Sequence, residues 1–98
     1  MRTAARIDAN QGEIVAALEA CGCTVRSLAA LGDGVPDLLV GLRWRNVLLE
    51  VKGPKGKLTP DQRRFLAAWR GEWYIVSTVD EALKAMGMGK AQHHVEVS

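Results

Sequence analysis

Ile14, Ala17, Leu18 and Cys21 recur at intervals of three and four until Gly22 breaks the series, which gives one apolar face to a helix. Just upstream, Asn10-Gln-Gly-Glu13 has the spacing of a capping box and predicts a helix that begins at Asn10. Residues 24–28 alternate polar and aliphatic side chains, a short strand before the Gly32-Asp-Gly34 turn. Two Val- and Leu-rich runs follow, 36–42 and 46–52, and the Arg43-Trp44-Arg45 segment between them predicts a hairpin. Gly53-Pro-Lys-Gly56 cannot extend the second strand. Thr59-Pro60-Asp61-Gln62 then places Thr at an N-cap, Pro at the first helical position and Gln three residues past the cap, so a second helix runs to about Trp69. A strand over 72–76 and a last helix, capped by Thr78 with Glu81 and ending near Gly87, complete the pattern. Residues 88–98 have no clear period, although 94–97 alternate as an extended edge segment would.

The order helix, three strands, helix, strand, helix (αβββαβα) defines an α/β fold: a mixed four-stranded sheet with helices on both faces. The 98 residues hold one domain, 1–98, with room for a single core and no second one. A chain with 48% hydrophobic and 24% charged residues is expected to fold, and its longest apolar run falls far short of the roughly 20 residues that cross a bilayer. The first ten residues alternate polar and small side chains, unlike a secretory leader, so a cytoplasmic location is expected. Cys21 and Cys23 are one residue apart, too close for an ordinary disulfide and without a second ligand pair for zinc, and read as free thiols. His93 and His94 read as part of a solvated tail.

The formal charge of +2 identifies no partner, but its distribution is informative. Eight of the thirteen Lys and Arg residues lie between Arg43 and Arg70, against only Glu50 and Asp61. Within that basic stretch, the hairpin sets Asp37 roughly opposite Glu50, because both are about equally far from Trp44. Glu50 and Lys52 project from one strand face with Leu48, while Val47, Leu49 and Val51 project from the other. Two neighbouring carboxylates repel each other, and a divalent cation removes that cost by taking oxygen ligands from both; Mg²⁺ or Mn²⁺ suits such donors. With an ammonium beside it, the set has the parts needed to hydrolyse a phosphodiester. Singly, Asp37 also reads as a turn cap and Glu50 with Lys52 as a solvated strand face. An acid-x-lysine pair inside an otherwise apolar strand, thirteen residues after Pro-Asp, is hard to treat as surface decoration.

These residues resemble the PD-(D/E)XK nuclease superfamily, and specifically its stand-alone VRR-NUC domains of phages and bacteria. The resemblance rests on Gly34-Val-Pro-Asp-Leu-Leu-Val40, Leu48-Leu-Glu-Val-Lys-Gly53 and Leu58-Thr-Pro-Asp-Gln62, with the helix around Glu13 and Trp69-Arg-Gly71, over roughly 8–86. It implies a restriction-endonuclease-like core in which Asp37, Glu50 and the Val51 carbonyl bind the metal and Lys52 assists the attacking water. It also implies site roles for Glu13 and Gln62, and a homodimeric endonuclease acting on branched DNA such as Holliday junctions, in the cytoplasm of a bacterial or phage-infected cell.

Gln62 and Glu13 each also fit the capping boxes they sit in, and both readings stay open. Gln62 shares a helical stripe with Phe65, Leu66 and Trp69, so an inward Gln62 needs a polar partner. Lys55, Lys57, Arg63 and Arg64 follow the proposed site directly and are candidate phosphate contacts, of the kind that reads backbone charge and is salt-sensitive. Trp69 and Trp73 read as core. Trp44, between two arginines at the hairpin tip, fits either a partner subunit or nucleic acid. The rival readings are a nucleic-acid-binding module that does not cleave, and the nuclease subunit of a larger restriction or recombination complex.

Overall fold

Every second residue of two neighbouring strands, Leu38 and Val40 on one and Val47, Leu49 and Val51 on the other, is buried, and these residues form the centre of the core. A computed structural model of the chain describes residues 2–88, with side chains from Asn10 onward. The elements are α1 (Arg2–Ala20), β1 (Thr24–Ser27), β2 (Leu38–Leu42), β3 (Arg45–Val51), α2 (Pro60–Ala68), β4 (Glu72–Val76) and α3 (Val79–Ala85). A short 3-10 turn over Ala29–Leu31 follows β1, a feature that the hydrophobic pattern does not signal.

The strands lie in the order β1-β2-β3-β4. β1 to β3 form an antiparallel meander, whereas β4 pairs parallel to β3, as it must when a helix carries the chain back across the sheet. One sheet face packs on Ile14 and Leu18 of α1 and on Ala82 of α3, with Met86 just beyond it. Each of the larger ones, Ile14, Leu18 and Met86, contributes about 1.5–3 kcal/mol. α2 lies on the opposite face, where its Gln62 meets Glu50 of β3 and its Leu66 is buried.

Several expectations change in detail. α1 extends upstream of Asn10, so Asn10-Gln-Gly-Glu13 is helix interior and not a capping box. Asn10 instead donates its Nδ2 to the Ser77 carbonyl at 3.5 Å, tying α1 to the start of the last helical segment. The hairpin turn has two residues, Arg43 and Trp44, because Arg45 already pairs with Leu42. The second sheet face is only partly covered: α2 is nine residues long, and Leu39, Trp73 and Ile75 remain partly exposed. Trp69 and Trp73 therefore line a half-open face and are not core. Both cysteines are free thiols. Among the described residues no helix is long and apolar enough to cross a membrane. His93, His94 and the rest of 89–98 lie outside the described residues.

Candidate active site

Among the described residues Glu50 is the one charged residue in the buried set, with 2% of its surface exposed. Its strand holds it there: Val47, Leu49 and Val51 anchor β3 in the core, and alternation turns Glu50 onto the α2 side. The β2–β3 register pairs Leu38 with Leu49, so Asp37, one residue before β2, falls opposite Glu50. Asp37 is fixed at two points. Its carbonyl accepts the Leu28 N–H at 2.8 Å, and its Oδ2 accepts the Val51 N–H at 2.7 Å. The preceding Pro36 is fully buried.

Burial, and after it the adjacent Asp37 charge, push the Glu50 carboxyl up to about 7, against the opposing effect of Lys52. The Lys52 Nζ lies 3.6 Å from Glu50 Oε2. Its backbone N–H is held by the Val76 carbonyl at 2.9 Å, so the lysine is positioned from β4 as well as β3. The turn closed by the Gly56 N–H on the Gly53 carbonyl then passes over the lysine stem, and a Cβ at Gly56 would stand 3.2 Å from Lys52 Cδ.

Gln62 meets the same Glu50 oxygen: its Nε2 donates to Oε2 at 3.1 Å. The capping box at the start of α2 decides which end of the amide faces the carboxyl. Thr59 Oγ1 accepts the Gln62 N–H at 3.2 Å, and Gln62 Oε1 accepts the Thr59 N–H at 2.9 Å, which leaves only Nε2 for Glu50. Gln62 thus both caps the helix and contacts the carboxyl, where the sequence left the two as alternatives. The helix start is seated on Gly34, which has φ 80° and packs so closely that a Cβ would lie 2.3 Å from the Asp61 carbonyl oxygen. In the sequence Gly34 reads as part of the Gly32-Asp-Gly34 turn, and a glycine two residues before Pro36 is the signal of this close approach.

Other candidates stand apart. Glu13 is exposed on α1 and forms no hydrogen bond or ion pair with Asp37, Glu50 or Lys52. Lys55, Lys57, Arg63 and Arg64 are all exposed beyond the end of β3 and along α2, and Arg64 pairs with Asp61. Among the described residues there is no group of three or more His, Cys, Asp and Glu side chains that could hold a metal ion, so any ion here would depend on the Asp37–Glu50 pair plus oxygen from the backbone, water or substrate.

The VRR-NUC domain model matches residues 5–80. The chain belongs to the VRR-NUC family. A solved structure of a VRR-NUC domain is 30% identical, superposes with a TM-score of 0.70, and the match covers 82% of this chain and 92% of the other. No curated protein matches the chain. A VRR-NUC domain is a nuclease-type domain, of a class that generally uses divalent metal ions. The residues present fit such an ion: two carboxyls face each other, one is buried with its pKa raised by that burial and by the other, and the pair offers oxygen donors without a competing thiolate or imidazole.

Proposed function

We propose that this VRR-NUC domain is a divalent-cation-dependent endodeoxyribonuclease that hydrolyses phosphodiester bonds at Asp37, Glu50 and Lys52. The reading is carried by one observation: a 2% exposed glutamate whose carboxyl, raised to about 7, adjoins Asp37 and a lysine amine. Asp37, Glu50 and the Val51 carbonyl would hold Mg²⁺ or Mn²⁺. When bound, the ion supplies Lewis-acid stabilisation of charge on the cleaved phosphate and a more acidic water.

The chain's own groups do the rest. The Val51 N–H holds one Asp37 oxygen, leaving the other for the ion. Gln62 Nε2 holds Glu50 Oε2 and fixes the plane of that carboxylate. Lys52 orients the attacking water through its ammonium. Lys55, Lys57, Arg63 and Arg64 take the phosphates on either side. Glu13 is proposed as an outlying acid on α1 rather than part of the central cluster. Two chains related by a twofold axis would present two such sites to two strands, the arrangement that branched DNA requires.

The test is incubation of the pure protein with single-stranded, duplex, flapped and four-way-junction DNA, with EDTA, Mg²⁺ or Mn²⁺. Cleavage is expected only with the cation. Asp37→Asn and Glu50→Gln are expected to lower it by more than about 100-fold while the circular dichroism spectrum is unchanged. Wild-type protein that binds DNA but never cuts it favours a non-cleaving binding module; variants that cut normally refute the assignment.

A further inference from the structure

Arg43 and Trp44, the two residues joining β2 to β3, have φ 51° and 69°, the left-handed region. A two-residue hairpin turn with both φ values positive takes Asn-Gly most readily, because other side chains meet their own backbone there. A bulky pair in that place is a local conflict with the fold, and conflicts of this kind concentrate at binding sites. Nothing in the fold is gained in exchange: Trp44 is 100% exposed, and neither residue makes a side-chain hydrogen bond or ion pair among the described residues.

The turn closes one end of a groove. Thr24, Arg26, Leu39, Gly41 and Asn46 line it beside Arg43 and Trp44, and no carboxylate is among its lining residues. Arg45 at its margin is already paired with Glu72, whereas Arg26 and Arg43 form no ion pair among the described residues. The register shows which sheet face the groove lies on. Thr24 pairs with Gly41, Arg26 with Leu39, Gly41 with Asn46 and Leu39 with Leu48, so all share the sheet face that also carries Glu50. From Trp44 to Glu50 is six residues of strand, about 20 Å at 3.3 Å each, or roughly six steps of a stacked strand at 3.4 Å.

We propose that the Arg43-Trp44 turn and this groove bind an unpaired stretch of a nucleic-acid strand, Trp44 stacking on a base while Arg26 and Arg43 contact phosphates. An exposed indole near guanidinium groups that no acid neutralises suits a strand whose base faces are open, and the lack of lining carboxylates suits a polyanion. The ligand's identity rests on the nuclease reading; the site itself rests on the turn.

The discriminating variant is Trp44→Gly, which removes the ring and relaxes the backbone. It is expected to raise the thermal midpoint of the protein and to weaken binding of a fluorescein-labelled 20-nucleotide single strand, measured with EDTA present, by on the order of tenfold. Trp44→Phe is expected to stay within about threefold of wild type, and Arg26→Gln, which leaves the turn intact, to lower affinity and flatten its salt dependence. Unchanged single-strand affinity in Trp44→Gly, with wild-type DNA cleavage retained, overturns the site and leaves the nuclease reading standing. Loss of a dimer in sedimentation, with unchanged affinity per chain, overturns it in favour of an interface between copies. Wild-type protein that neither binds nor cuts DNA overturns both.

Discussion

A carboxyl that titrates near 7 in the folded chain and near 4.5 when unfolded makes Glu50 a destabilising residue at neutral pH. Between those two values the unfolded state binds fewer protons than the folded state, so stability is full below about 4.5 and is lost as pH rises through 7. The difference is on the order of 3 kcal/mol. In EDTA, the thermal midpoint of wild type relative to Glu50→Gln is therefore expected to fall between about pH 5 and pH 8. Parallel curves for the two proteins would show that Glu50 ionises as freely as a surface acid. The same raised pKa suits a cation ligand, because a bound cation favours the ionised carboxylate.

At the scale of the element, the start of α2 is a positioning device as much as a helix end. Thr59 and Gln62 satisfy each other's backbone, Gly34 admits the helix terminus, and the result is an amide whose donor end meets Glu50. Gly34→Ala adds a Cβ at φ 80° against backbone that cannot swing aside. It should cost about 2 kcal/mol or more in chemical unfolding and displace α2 from the sheet. Cleavage should slow accordingly. If the slowing acts through Gln62, it is expected to shrink sharply when Gln62→Ala is already present; fully additive losses would mean that Gly34 acts by another route.

Across the whole molecule, the two sheet faces differ. The α1 and α3 side is closed around the core, whereas the α2 side is half-open, carrying the carboxyl pair at one end and the hairpin turn at the other. On α2 the Phe65 and Trp69 rings stack on each other, 5.4 Å apart, and Trp69 remains exposed. The exposed cations Lys55 and Lys57 extend the basic surface beyond the carboxyl pair. Replacing both with Ala should reduce the slope of log affinity for duplex DNA against log salt by nearly 2, at about 0.9 for each phosphate that a lysine no longer neutralises. A slope that stays put would place both lysines away from the nucleic acid.

Element types were legible from periodicity, because a strand that buries one face and a helix that buries one stripe must repeat apolar residues at two and at 3.6. The Asp37–Glu50 pairing was legible too, since a short hairpin leaves little freedom in register. The start of α1 was not. A capping-box pattern at Asn10 describes local hydrogen-bonding options only, and the helix continues through it. Burial of the tryptophans was also misread: an apolar stripe says which way a residue faces, not whether anything covers it, and a nine-residue α2 is too short to cover its side of the sheet.

Local pattern alone thus determined the αβββαβα order, the adjacency of the acids and the placement of a lysine beside one of them, because each follows from spacing along a single strand or turn. Packing between elements distant in the chain decided the rest: the depth of Glu50 and the pKa it imposes, the amide that Gln62 presents, the seat provided by Gly34, and the open sheet face running to Trp44. Those depend on what packs against what, and side-chain periodicity carries no information about the length or closeness of the covering element.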